Sequence, residues 1–165
     1  MPTMQKVFPN LWFNGNAEQA VNFYVNVFKN SSIGDKTYYT NEGQEYHKKE
    51  AGTVLTIEFS IEGQDFVALN AGPEFKFNEA ISFVVNCDTQ EEIDYYWNAL
   101  SAHPESEQCG WLKDKFGVSW QITPPLLQKM IKDSDPDKVS RVMKAMFAMK
   151  KINIKELQQA YNGNA

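Results

Sequence analysis

Between residues 7 and 123 one order of elements is written twice: strand, helix, strand, strand, strand. A repeated supersecondary unit constrains a fold strongly, because each copy must bury one face of a sheet that it cannot cover alone. The first copy opens with a strand at Val7 to Phe13. Asn16, with Gln19 three residues on, is placed to cap a helix whose Ala17, Ala20, Val21, Tyr24 and Phe28 share one face. A strand at Ile33 to Thr40 follows, then the polar loop NEGQEYHKKE. Thr53 to Ile61 alternates cleanly, with Leu55, Ile57, Phe59 and Ile61 on one side and Thr56, Glu58 and Ser60 on the other. Glu62-Gly63 turns the chain into a strand at Asp65 to Asn70.

The second copy starts with a strand at Ala80 to Asn86. Thr89 and Glu92 make a capping box for a helix that turns Ile93, Tyr96, Trp97 and Leu100 inward. Short strands follow and end in the hairpin QCGWLKDKFGVSWQI, Gln108 to Ile122. Its strands are Cys109 to Lys113 and Val118 to Ile122. Asp114 and Gly117 flank the turn, where a side-chain acceptor and a residue free to take positive φ are both useful. Pro124-Pro125 ends the last strand, since proline cannot donate to a ladder. The rest reads as helix: Leu126 to Lys132, a helix capped by Asp135 with Pro136 at its first position, and a helix capped by Asn153 with Glu156. The sequence therefore predicts one domain over 1–165, with modules near 7–70 and 79–123 and a helical tail near 124–165.

At 42% hydrophobic residues, with 11 Phe, 7 Tyr and 4 Trp, the chain can fill a core. The net charge of −5 is scattered and the Lys pairs at 48–49 and 150–151 form no basic stripe, which argues against nucleic-acid binding. No apolar run approaches the roughly 20 residues of a membrane helix. The opening MPTMQKVFPN lacks the layout of a signal peptide. Two cysteines, Cys87 and Cys109, make no disulfide framework, and a cytoplasmic setting is expected.

The hairpin, the segment GNAEQAVNFYVNVF at Gly15 to Phe28, FNEAISFVVN at Phe77 to Asn86 and the tail MKAMFAMKKINI together resemble the PhnB-like branch of the vicinal oxygen chelate superfamily. That superfamily includes glyoxalase, the bleomycin-resistance proteins and dioxygenases. The resemblance implies an α+β fold in which paired βαβββ modules form a curved, cup-like mixed sheet with a ligand in the cup. It also implies a homodimer, and the apolar tail residues Val139, Val142, Met143, Met146, Phe147 and Met149 need a second surface. That surface is either the chain's own sheet or a partner's.

Metal-using members place His, Gln or Glu at four strand positions. The matching positions here hold Gln121, Ala80, one of Phe8, Pro9 and Asn10, and either Ala68 or Asn70. None is His or a carboxylate, and His47 and His103 fall in polar loops. A divalent site needs several converging imidazole, carboxylate or thiolate ligands, so no metal and no other cofactor is expected. Members of the branch are often labelled 3-demethylubiquinone methyltransferase-like. The sequence has no glycine-rich strand-to-helix turn and no alternating parallel βα order to support that chemistry.

If Gln121 points into the cup, alternation sends Ser119, Ala80, Ser82, Asn10, Trp12, Thr56, Glu58 and Asn70 the same way. The expected ligand-binding set is therefore Asn10, Trp12, Asn70, Ser82 and Gln121. Glu58, the lone carboxylate, is the candidate general base. A wet polar face on a one-sided sheet is the plain alternative. For Cys109 and Cys87, inert burial stands against reactivity, because nothing cationic adjoins either. Two functions stay open: a metal-free binder of a small organic molecule, or an enzyme (lyase, isomerase or dioxygenase) with a non-standard or absent metal site. A purely structural dimer is the third.

Overall fold

The computed structural model describes residues 5–164. Residues 1–4, part of the opening stretch considered above for a signal segment, lie outside the described residues, as does residue 165. The chain divides into two compact units, one up to Phe77 and one from Asn78.

In the first unit the elements are β1 (Asn10–Asn14), α1 (Ala17–Val27), β2 (Ser31–Tyr38), a one-turn helix α2 (Gln44–His47), β3 (Val54–Ile61) and β4 (Gln64–Ala71). The sheet order is β1-β4-β3-β2. β1 runs parallel to β4, and the other neighbours are antiparallel. Glu62 and Gly63 both take positive φ in the turn between β3 and β4, the backbone a two-residue hairpin turn requires. α1 packs on β2, β3 and β4, and its Ala17, Ala20, Val21 and Tyr24 are buried as their spacing requires.

The cap of α1 differs from expectation. Asn16 makes no side-chain cap bond. The orphan N–H of Ala17 instead donates to Asn70 Oδ1 at 3.3 Å, while Asn70 Nδ2 donates to the carbonyl of Val54 at 3.0 Å. A residue 53 positions away does the work of a local cap, so the helix start is fixed to the sheet and not only to its own sequence.

The second unit contains β5 (Phe83–Asn86), α3 (Gln90–Leu100), a 3₁₀ turn at Pro104–Ser106, β6 (Trp111–Lys113), β7 (Ser119–Thr123), α4 (Pro125–Ile131), α5 (Pro136–Ala148) and α6 (Ile154–Asn162). Its sheet has the order β5-β7-β6, with β5 parallel and β6 antiparallel to β7. The capping box at Thr89 and Glu92 forms in both directions. Asp135 and Asn153 cap α5 and α6 through their side-chain oxygens.

Two expectations for this unit need correction. Ala80 lies in a turn, and β5 begins only at Phe83. The expected strand from Cys109 starts at Trp111, because Cys109 and Gly110 both take positive φ (51° and 85°). Their N–H groups leave the sheet and donate to the carbonyls of Met149 and Lys150 at 2.9 and 2.8 Å. The segment just after α5 thus takes the hydrogen bonds that a further strand would have used. What remains of that strand is one bridge between Gln108 and Trp111. A Cβ on Gly110 would lie 3.0 Å from the carbonyl oxygen of Ile122 and 3.1 Å from Ile152, so this crossing requires glycine.

The hairpin turn is held by Asp114, which is fully buried. Its Oδ1 accepts from the N–H groups of Phe116 (2.8 Å) and Val118 (3.1 Å), and its Oδ2 accepts from Trp120 Nε1 (2.9 Å).

Candidate functional site

In the second unit, pairing places Val84, Gln121 and Trp111 side by side across the three strands. The opposite face carries Leu112, Trp120 and Ile122, all buried, and α3 packs against β6 and β7. Alternation therefore assigned the faces of this sheet correctly: Phe83 pairs with Trp120, away from Gln121.

Above the Gln121 face lies a cavity of about 620 Å³, within the range of small-molecule sites. Val84, Trp111, Gln121 and Thr123 line it from the sheet, and Leu127, Ile131, Met143, Met146 and Phe147 line it from α4 and α5. Ser82, expected beside Gln121, is there: the Gln121 amide nitrogen donates to Ser82 Oγ at 2.9 Å. That bond holds one end of the amide, and the other end has no partner among the described residues. Thr123 Oγ1 is buried and also unpartnered. Ser119 Oγ, two residues before Gln121 on the same face, is in the same state.

Glu79 and Cys109 are the ionisable residues of the lining. Glu79 is ion-paired with Lys113, whose ammonium hydrogen bond holds its carboxyl below the usual range. Cys109 Sγ accepts from Gln108 Nε2 at 3.4 Å.

In the first unit, register puts Asn10 and Glu58 on either side of Val67, and Trp12 and Thr56 on either side of Leu69. Asn10, Trp12 and Glu58 thus share a face, as alternation implied. The same register pairs Asn70 with Phe13 and Ala68 with Ile57, so Asn70 faces α1 and not the Glu58 side, which corrects its assigned face. β4 is buried on both sides, with Val67, Ala68, Asn70 and Ala71 all buried. Alternation along such a strand carries no information on which side is which.

Trp12 is held in place: its Nε1 donates to the carbonyl of Gly72 at 2.8 Å, and Phe75 meets it edge-on at 4.8 Å between ring centres. Glu58 is half-buried and opposite Gly34. No ion pair or hydrogen bond to its carboxylate forms among the described residues. Thr56 and Ser60, which flank it, are bonded to Thr37 and Ser32 of β2.

Among the described residues no three His, Cys, Asp or Glu side chains gather where they could hold a metal ion. Gln121 has Val84 and Trp111 as its cross-strand neighbours, and neither is a ligand. The donor set therefore does not fit the divalent ion of the metal-using members. Cys87 is fully buried, and burial first, then the charges of Glu92 and Asp88, push its thiol up to about 12. It is protonated and inert at neutral pH.

Thr123 and the wall from α4 and α5 are not among the residues expected from the sequence. Thr123 was within reach, being two residues beyond Gln121 on one strand. The wall was not, because nothing in a helical stripe says which sheet face it covers. Trp111 lines the cavity, whereas Trp120 is buried with its indole bonded to Asp114.

Two sheets of parallel-and-antiparallel strands, each carrying a helix on one face, are the fold of the vicinal oxygen chelate class. The family model described as 3-demethylubiquinone-9 3-methyltransferase matches residues 5–123. The chain belongs to that family, the PhnB-like branch of the superfamily. The solved PhnB protein from Bacillus cereus is 36% identical, with 73% of this chain and 99% of that one covered at a TM-score of 0.59. Protein PA1353 from Pseudomonas aeruginosa, at 19% identity, 74% and 98% coverage and a TM-score of 0.53, shares the fold. No curated protein sequence matches the chain. No helix among the described residues is long and apolar enough to cross a membrane.

Proposed function

We propose that the chain is a binding protein for a small organic molecule, held without a divalent ion against the Gln121 face of β5-β7-β6. The observation that carries this reading is the Gln121 amide. It is fixed at one end by Ser82 and unpaired at the other, on the floor of a cavity of about 620 Å³. An oriented polar group in an apolar recess sets the pose of a ligand and gives specificity, while the walls supply affinity. In this reading Ser82 and Gln121 are ligand-binding residues, and their hydrogen bond supports it. The absence of gathered metal-ligand residues supports the metal-free part.

The test is native mass spectrometry of the purified protein, wild type and Gln121→Ala. A co-purifying mass retained by the wild type and lost from the variant is expected. A stoichiometric divalent ion lost on replacing Gln121 would refute the metal-free reading.

The second reading is catalysis by Glu58, with Asn10 and Trp12 as ligand contacts on the same face. What favours it is a half-buried carboxylate that forms no ion pair or hydrogen bond among the described residues and so is available to a proton. Glu58→Gln should then abolish turnover of whatever molecule co-purifies and leave its binding intact. The two unbridged cysteines fit a reducing, cytoplasmic setting.

A further inference from the structure

The family model ends at residue 123, and the cavity wall from α4 and α5 lies wholly beyond it. The B. cereus relative is matched over 99% of its own length but over only 73% of this chain. The wall is therefore what this chain adds to the sheet that it shares with its family. Leu127, Ile131, Met143, Met146 and Phe147 give that wall no charge, and the exposed Gln128 of α4 is the hydrogen-bonding side chain on it. Methionine thioethers are polarizable and adapt to flat ring systems, and Trp111 stands across from them on the sheet side. The ionisable groups of the lining offer nothing to a charged ligand: Glu79 is already paired with Lys113, and no lysine or arginine lines the cavity. The lining's Gln108 and Gln128 are exposed, and Gln108 already donates to the Phe147 carbonyl at 2.8 Å. The polar contacts offered further in are the half-buried Ser106, the Thr123 hydroxyl, buried and unpartnered, and the free end of the Gln121 amide.

We infer that α4 and α5 make this site selective for an uncharged, largely aromatic molecule carrying one hydrogen-bonding group, met by Gln121 and Thr123. The inference rests on the proposal that the Gln121 face is the ligand site and adds the ligand's chemistry to it. A charged group would be stripped of water against Met143 and Met146 with no counter-charge to receive it. A neutral ring loses little water and gains contact on both sides. The exposed rim residues Val84 and Phe147 (53% and 59%) let such a molecule enter edge-on.

Two fluorescent probes that differ by one charge test this. N-phenyl-1-naphthylamine is neutral with a single N–H donor; 1-anilinonaphthalene-8-sulfonate has the same rings and a sulfonate. The wild type should bind the neutral probe one-to-one and at least about tenfold more tightly than the sulfonate, since ~1.4 kcal/mol is a factor of ten. Met146→Glu should weaken the neutral probe by a similar factor, and Thr123→Val, which keeps the side-chain shape, by several-fold. Circular dichroism confirms that each variant is folded, and Met143→Gln serves if Met146→Glu is not. Equal or tighter binding of the sulfonate, with both probes sensitive to Gln121→Ala, would overturn the ligand class and leave the site. Neutral-probe binding indifferent to Gln121→Ala, Met146→Glu and Met143→Gln would overturn the site itself. So would a cavity closed by a second copy, seen as probe binding that appears only when dilution separates the chains.

Discussion

Replacing Asp114 should show how much of the second unit depends on one carboxylate. Three donors converge on it at 2.8–3.1 Å: two backbone N–H groups of the turn and the indole of Trp120. Asp114→Ala strands all three. The Phe116 N–H is only part-buried and can turn to water, but those of Val118 and Trp120 are buried. Two buried donors left unmet, at about 1–2 kcal/mol each, put the loss near 3 kcal/mol. That is a large share of the roughly 5–15 kcal/mol that holds a domain folded. Asp114→Asn keeps an oxygen for the turn but sets an NH₂ against the indole N–H, so about 1–2 kcal/mol should go. Trp120→Phe removes the opposing donor and should relieve part of that clash. Urea unfolding followed by circular dichroism, over the wild type, Asp114→Ala, Asp114→Asn, Trp120→Phe and the double variant Asp114→Asn with Trp120→Phe, measures the losses and the coupling. An interaction energy of about 1 kcal/mol or more is expected between residues 114 and 120. A loss under about 1 kcal/mol for Asp114→Ala, or additive effects of Asp114→Asn and Trp120→Phe, would show that the carboxylate does not hold the turn and the indole together.

Asn70→Ala removes the cap of α1 and the partner of the Val54 carbonyl, and should destabilise the first unit by about 1–3 kcal/mol while leaving probe binding in the second unit unchanged. The Cys87 thiol titrates near 12 in the fold against an ordinary 9.0. Its raised value means that the stabilisation is complete below pH 9 and is lost as pH rises from there toward 12, which alkaline urea titrations of wild type and Cys87→Ala would show as a difference that is constant below pH 9 and changes with pH only in that range. At neutral pH a thiol reagent should label Cys109 first and Cys87 only on unfolding. The carboxyl of Asp133 is held below its ordinary 3.8, first by the hydroxyl of Tyr161, so its contribution is present above that pH and is lost as pH falls through the depressed value. Tyr161→Phe should narrow the gap in acid stability between pH 5 and pH 3, read by thermal melts at each pH. Light scattering tests the homodimer expected from the sequence, against a chain mass of 18.9 kDa. Since Met146 lines the cavity over the sheet of its own unit, Met146→Glu should leave the oligomeric state as it is.

Features that depend on near neighbours along the chain are legible in the residues alone. The capping box at Thr89, the caps at Asp135 and Asn153, the turn at Glu62-Gly63 and the alternation of β3 each rest on contacts within a few residues, and each appears in the structure. Alternation also determined that Ser82 and Gln121 share a face, because each sits on or beside a strand whose two sides differ in polarity. Tertiary structure alone decided the rest. Asn16 looked like a cap, but Asn70 reached α1 from a distant strand. β4 is buried on both sides, so its parity stayed open until pairing with β1 set it. The expected strand at Cys109 gave way because residues 149 and 150, forty positions later, took its hydrogen bonds. The cavity over Gln121 belongs to the same class: an apolar stripe on a helix records that something must be covered, and only the path of the chain through space decides which surface that is.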